Sequence, residues 1–262
     1  MRKRSVLILG LVSIILIMSS CISRKKLTYL QYSDGSDNYE MEVIENKPSV
    51  TPSEYKVIPY DNLYIRVVTP DPQWSALFNT MPEGGGITEE SAGLLGYNVD
   101  GDGAIEIPFV GKLEVAGKTL SEIKVELDST FKNYLKDAAI TVRLVNNFIS
   151  ILGEVTSPGR YPLSKDRLNI FEALSLAGDA SVFSNRQKVQ LIRPSPYGPI
   201  VKEFSLAERS ILTSEFYYVM PNDIIYVPPL QGRSFATNAA VYTLFLSSIT
   251  TALVIFGFFR TL

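Results

Sequence analysis

The order of apolar and polar residues divides the chain into alternating stretches, two helical stripes and one long uncharged end. Leu63, Ile65 and Val67 alternate with Tyr64, Arg66 and Val68. Ile140, Val142 and Leu144 alternate with Thr141 and Arg143, and Ile149 and Ile151 flank Ser150. Val189, Leu191 and Arg193 interleave with Gln190 and Ile192. A period of two puts alternate side chains on opposite faces, so each stretch predicts a strand. Residues 160–163 and 200–204 predict two more, the first returning through the Ser157-Pro158-Gly159 turn and the second through the turn over 194–199. Two helices announce their starts. Thr119-x-x-Glu122 and Asn169-x-x-Glu172 have the capping-box form, in which the first side chain accepts from a free backbone N–H and the acid reaches back. Leu120, Ile123, Leu127, Phe131 and Leu135 form one face of the first helix; Ile170, Phe171, Leu174 and Ala177 form one face of the second, which Gly178 is placed to end. Residues 206–212 predict one or two helical turns.

Between these elements the punctuation is plain. Thr69-Pro70-Asp71-Pro72 stops the strand before it, and a loop is expected from Gln73 to Gly96. Trp74, Leu77 and Phe78 are candidates to dock one end of that loop, on their own domain or on a neighbouring subunit. Its Gly84-Gly85-Gly86 lacks the Lys-Ser/Thr and following helix of a phosphate loop, so it reads as a surface insertion. Gly101-Asp102-Gly103 predicts a hairpin turn rather than a calcium loop, which needs a distal bidentate glutamate. Asn146-Asn147 separates a first domain, residues 54–146, from a second, residues 147–232.

The two ends differ from the middle. Arg2, Lys3 and Arg4 precede an apolar run over 6–17 and then Met18-Ser19-Ser20-Cys21. A basic head, a short apolar run and small residues predict a signal peptide over 1–20. Cys21, the chain's one cysteine, stands where a bacterial lipobox puts it, so it is the expected lipidation site. Several acyl chains there would make a stable anchor for membrane lipid. The polar stretch over 21–53 reads as the tether. At the other end, no charge occurs from Ser234 to Phe259, long enough for a transmembrane helix of about 30 Å within residues 233–262. At 100° per residue, Ala236, Ala240, Thr243, Ser247, Thr250 and Thr251 share one side. Tyr242, Phe245, Leu246, Ile249, Leu253 and Phe256 share the other, and Val254 and Phe258 interrupt the small stripe. Thr243, Ser247, Thr250 and Thr251 are candidate pore-lining residues if copies ring a wet lumen; in a plain anchor the same stripe serves close helix packing.

Composition removes much chemistry. The 262 residues include no histidine and one cysteine, which removes the usual general base and any cysteine-based zinc site. No cofactor and no metal site is expected, and no carboxylate pair is arranged for catalysis. A net charge of −2 argues against a nucleic-acid partner. Fourteen tyrosines offer rings that could stack on sugars.

The string ILGEV (151–155), then Pro158-Gly159 and Tyr161, then Asn169 with IFEALSLAGD (170–179), resembles the β-grasp ligand-binding module of the polysaccharide export protein family. Residues 220–229 resemble that family's closing strand. Residues 55–67 resemble its entry motif, which usually has glycine where Tyr60 stands, and residues 97–123 resemble its export domain. The resemblance implies an α+β chain: two small periplasmic α/β domains, export domain then β-grasp module, followed by one C-terminal transmembrane helix.

It also implies a function: an outer-membrane lipoprotein, its main body in the periplasm, acting as one subunit of an oligomeric channel for capsular or extracellular polysaccharide. The implied partners are other copies in a homo-oligomeric ring, the polysaccharide substrate, and an inner-membrane co-polymerase or tyrosine kinase-type protein that supplies energy. A membrane-anchored sugar-binding or signalling module without a pore is the alternative, and a hydrolase using an acidic pair is a third reading.

Overall fold

The computed structural model describes residues 27–31, 54–79, 96–132, 134–135, 137–163, 165, 167–230 and 239–261. The signal peptide, Cys21, most of the tether, the glycine triplet and Ala236 lie outside the described residues.

Two separate hydrophobic cores organise the chain. The first forms around β1 (Asn62–Val68), the middle strand of a three-stranded sheet. Its antiparallel neighbours are β2 (Tyr97–Asn98) and β5 (Ala139–Leu144), with Ile65 opposite Val142 and Val67 opposite Ile140. Between them α1 (Pro72–Phe78) begins where a loop was expected. Its Asp71 cap accepts from the Gln73 N–H, and Pro72 occupies the first turn, where no N–H is needed. The same Asp-Pro pair that ends a strand therefore starts a helix. The Asn79 side chain then bonds both the N–H and the C=O of Val67, fixing α1 beside β1.

β3 (Ala104–Ile107) and β4 (Gly111–Glu114) form a two-stranded sheet of their own. The Gly101–Gly103 turn thus joins two sheets and does not close a hairpin between its flanking strands. Asp100 Oδ1 accepts from the Asp102 and Ala104 N–H groups, and the Lys112 ammonium lies between the Asp100 and Asp102 carboxylates. α2 (Leu120–Phe131) carries the expected capping box and buries Ile123, Leu127 and Phe131 over this core. Leu135, beyond the helix, is buried with them.

The second core lies under a five-stranded sheet made of β6 (Phe148–Gly153), β7 (Gly159–Pro162), β9 (Val189–Arg193), β10 (Ile200–Phe204) and β12 (Ile224–Val227). The strand order is β10-β9-β12-β6-β7. Only β6 and β12 run parallel, and that pair brings the start and the end of this region together. β8 (Leu168–Asn169) and β11 (Tyr218–Val219) make a small second sheet. α3 (Ile170–Leu176) is opened by Asn169 and Glu172 as its sequence predicts, and Gly178 follows with φ +72°. A 3-10 turn at Arg209–Thr213 replaces the expected helical turns. Gly153 has φ +92°, and a Cβ there would stand 2.1 Å from the Val227 carbonyl oxygen. Glycine is required for β6 to leave the sheet beside β12.

Residues 27–31 also belong to this second core. The Leu30 and Gln31 N–H groups donate to the carbonyls of Leu206 and Ala207, and Tyr29 meets Phe171 edge-on at 5.8 Å. Arg186, buried, donates to the carbonyls of Leu27 and Ala180 with its guanidinium 4.7 Å from the Tyr29 ring centre.

α4 (Ala239–Thr261) is a 23-residue helix. Among the described residues no helix is long and apolar enough to cross a membrane. The expectation of a transmembrane helix within residues 233–262 therefore stands uncarried by the fold. Thr243, Ser247, Ser248, Thr250 and Thr251 dilute the apolar surface of α4, and the side chains of Leu253 and Phe256 lie outside the described ones. The fold class is mixed α/β, ending in a helix that carries no charge before Arg260.

Candidate functional site

Two regions collect the chemistry. The first is α4. Every described side chain from Thr243 onward is exposed, including Leu244, Phe245, Leu246, Val254 and Phe258. On a lone chain this is a large apolar surface in water, the signature of a surface that meets lipid or protein. The four sequence-selected residues Thr243, Ser247, Thr250 and Thr251 lie on one side of the helix, as their spacing requires. The Ser247 hydroxyl donates to the Leu244 carbonyl at 2.9 Å, and Thr250 and Thr251 donate to the Ser247 carbonyl at 2.9 and 2.8 Å. Ser248, off the stripe, donates to Phe245 at 2.7 Å. These donors are already satisfied by their own helix, and each hydroxyl oxygen keeps its capacity to accept. A stripe of this kind presents acceptors and demands no partner, so it can face either packed helices or moving hydroxyl-rich solute.

The second region is the junction of the two cores, which the sequence reading passed over. Asp61 is 1 % exposed. Its Oδ2 accepts from the Tyr55 hydroxyl at 2.7 Å and the Ile58 N–H at 2.9 Å. Its Oδ1 accepts from Asn146 Nδ2 at 2.8 Å and from Asn222 Nδ2 at 3.4 Å. Tyr55 precedes β1, Asn146 follows β5, and Asn222 belongs to the turn before β12. Burial first, and Asp61 second, push the Tyr55 hydroxyl far above its usual range, so it stays a neutral donor. Close by, Asp223 is held by Arg193 through two parallel bonds of 2.9 and 2.7 Å and by the Met220 N–H. The signal was present in the sequence, since polar residues that bracket predicted strands are where domain ends must satisfy their backbone groups.

Asp61 and Asp223 are both occupied by hydrogen-bond donors, and among the described residues no group of three or more His, Cys, Asp or Glu could hold a metal. Tyr29, on the segment that docks to the second core, has its hydroxyl pushed up to about 12 by burial and by its bond to Asp179.

Residues 49–145 match the family model described as polysaccharide biosynthesis/export protein. The chain is 33% identical over 90 residues to the EPS I polysaccharide export outer membrane protein EpsA of Ralstonia solanacearum, covering 33% of this chain and 24% of that protein. The EpsA of Ralstonia nicotianae is 30% identical over 102 residues, which is 37% of this chain and 27% of its own. The exopolysaccharide production protein ExoF of Rhizobium meliloti is 30% identical over 139 residues, 52% of this chain and 30% of that one. The chain thus spans less than a third of the length of each of these relatives.

Proposed function

We propose that the chain, whose residues 49–145 match the polysaccharide biosynthesis/export family model, is an outer-membrane lipoprotein subunit of an oligomeric channel that exports capsular or extracellular polysaccharide. The observation that carries the reading is α4: a helix without charge before Arg260, whose described bulky residues are all exposed beside a self-satisfied hydroxyl stripe. A helix in a ring needs an apolar surface only on its outer flank. α4 can therefore serve a ring of copies without the uniformly apolar surface that a lone span requires. Phe245, Leu246 and Ile249 would face lipid, and Thr243, Ser247, Thr250 and Thr251 would line the lumen. A neutral path with exchangeable hydrogen bonds suits a polymer that must slide and not dwell.

In this reading Cys21 carries the lipid and the body lies in the periplasm. Residues 54–146 are the export domain and residues 147–232 a β-grasp module, which the mixed sheet with α3 packed against it supports. An inner-membrane co-polymerase or tyrosine kinase-type partner supplies the energy, and no bond of the polymer is made or cut here. The second reading, a membrane-anchored sugar-binding or signalling module, keeps the two domains but needs no ring. Native mass measurement and electron imaging of the detergent-extracted protein separate the two: rings, together with loss of secreted polymer on removal of residues 236–262, support the channel, whereas single subunits and undiminished secretion overturn it.

A further inference from the structure

Resting on the export reading, we propose that Trp74 and Phe109 form a stacking platform for a sugar ring of the transported polymer. The two residues come from different elements, α1 and the turn between β3 and β4, and both rest on one buried ring. Phe78 is 4 % exposed, while Trp74 is 43 % and Phe109 66 % exposed. Trp74 lies nearly parallel to Phe78, with an interplanar angle of 18° and ring centres 6.4 Å apart, so Phe78 backs an indole that is itself partly open to solvent. Phe109 meets Phe78 at 5.9 Å and 74°. Phe78 is itself held against Phe131 of α2 at 5.1 Å. The platform is thus rigid from below, and ordering it on binding loses little entropy.

Its chemistry favours a sugar over a charged ligand. Gln73, Pro108 and Val110, beside the two rings in the chain, carry no charge, and the nearby Asp71 carboxylate is taken by the helix cap. No hydrogen bond among the described residues engages the Trp74 indole N–H, which leaves a donor at the edge of an apolar face. A pyranose has the matching surface, a face of C–H bonds rimmed by hydroxyl oxygens, and an amphipathic ring suits a ligand that is apolar on one side and wet on the other. The backbone adds a further sign. Phe109 has φ +67°, a conformation that a bulky residue holds only against strain, and such strain is found where a side chain is wanted in place.

The chain's single tryptophan makes the test direct, because all indole emission comes from Trp74. The full chain, purified in detergent, is titrated with oligosaccharides cut from the polymer that its bacterium secretes. The expected result is a saturable change in emission. Phe109→Gly, which relieves the backbone and so folds, should weaken that binding roughly three- to tenfold, the worth of one aromatic contact. Unchanged emission at saturating sugar overturns the platform, as does equal affinity in Phe109→Gly. An emission change that tracks protein concentration and not sugar overturns it in favour of a contact between subunits. Secretion by a strain lacking the protein tests the export reading separately, and the platform stands or falls on emission alone.

Discussion

Asn146 donates through Nδ2 to Asp61 Oδ1 at 2.8 Å, across 85 positions of sequence, and so ties the chain after β5 to the chain before β1. The same carboxylate takes the Tyr55 hydroxyl, the Ile58 N–H and, more distantly, Asn222 of the turn before β12. Replacing it removes the acceptor of several buried donors at once. Asp61→Ala is expected to destabilise the chain by ~3 kcal/mol, because each unsatisfied buried donor costs about 1–3 kcal/mol. Tyr55→Phe removes one bond and should cost ~1 kcal/mol. Urea unfolding of both variants checks the order, and a result in which Tyr55→Phe is the worse of the two would show that Asp61 is not the hub.

Tyr60 offers the opposite sign. It has φ +72° and its side chain is 82 % exposed, so the strained backbone is supported by little burial. The family resemblance marks this position as one that usually holds glycine, and the structure keeps the turn that glycine would adopt. Tyr60→Gly should stabilise by about 0.5–1 kcal/mol, the relief of the left-handed conformation less glycine's greater freedom in the unfolded chain. Tyr60→Val should be destabilising, since a β-branched residue fits that region worst. Thermal melting of the pair reads both signs.

How much of this was legible beforehand follows from the range of each interaction. Capping boxes at Thr119 and Asn169 act over three residues, and both are present as their sequence predicts. Alternation located β1, β5, β6 and β9 because each buries one face. Pairing is another matter. Nothing within 224–227 says that this strand lies parallel to β6, or that β3 pairs β4 and leaves β2 to β1. α1 went unseen because Asp71-Pro72 carries two meanings, a strand stop and a helix start. Residues 27–31 read as tether, yet Tyr29 and Leu30 join the second core through contacts more than 140 positions away. Of the candidate site, the spacing of Thr243, Ser247, Thr250 and Thr251 was readable, whereas the donation of three of those hydroxyls to their own backbone was not.

The caps also set a pH response. The Asn169 N–H, bonding Glu172 Oε2 at 3.0 Å, and then Lys165 hold the Glu172 carboxyl below its usual 4.5. Thr119 does the same for Glu122. A carboxyl whose folded value is depressed stabilises the fold above its unfolded value, and that contribution is lost as pH falls through the folded one. Stability should therefore decline as pH drops below 4.5. Glu172→Gln keeps the capping geometry without a titrating group. It should flatten the acid limb by lowering stability at pH 7 towards the value reached once Glu172 is protonated, and unfolding free energies followed from pH 7 to pH 3 test this. An unchanged slope in Glu172→Gln would assign acid sensitivity elsewhere.

The two flanks of α4 give the decisive contrast for the proposed channel. Thr250 lies on the hydroxyl stripe and Ile249, one residue earlier, on the bulky side, both exposed on the single chain. In a ring with a wet lumen, Thr250→Lys places an ammonium in water and leaves assembly intact. Ile249→Lys places the same charge against lipid, at about 2.5–3.5 kcal/mol per subunit near the bilayer centre, multiplied by every copy in the ring. Assembled particles and secreted polymer should survive the first change and be lost with the second. If the stripe is instead where neighbouring helices pack, the order reverses: Thr250→Lys forces a charge between backbones and breaks the assembly, while a lysine at position 249 can turn its head to the interface. One residue of displacement along the helix thus decides which side of α4 meets water.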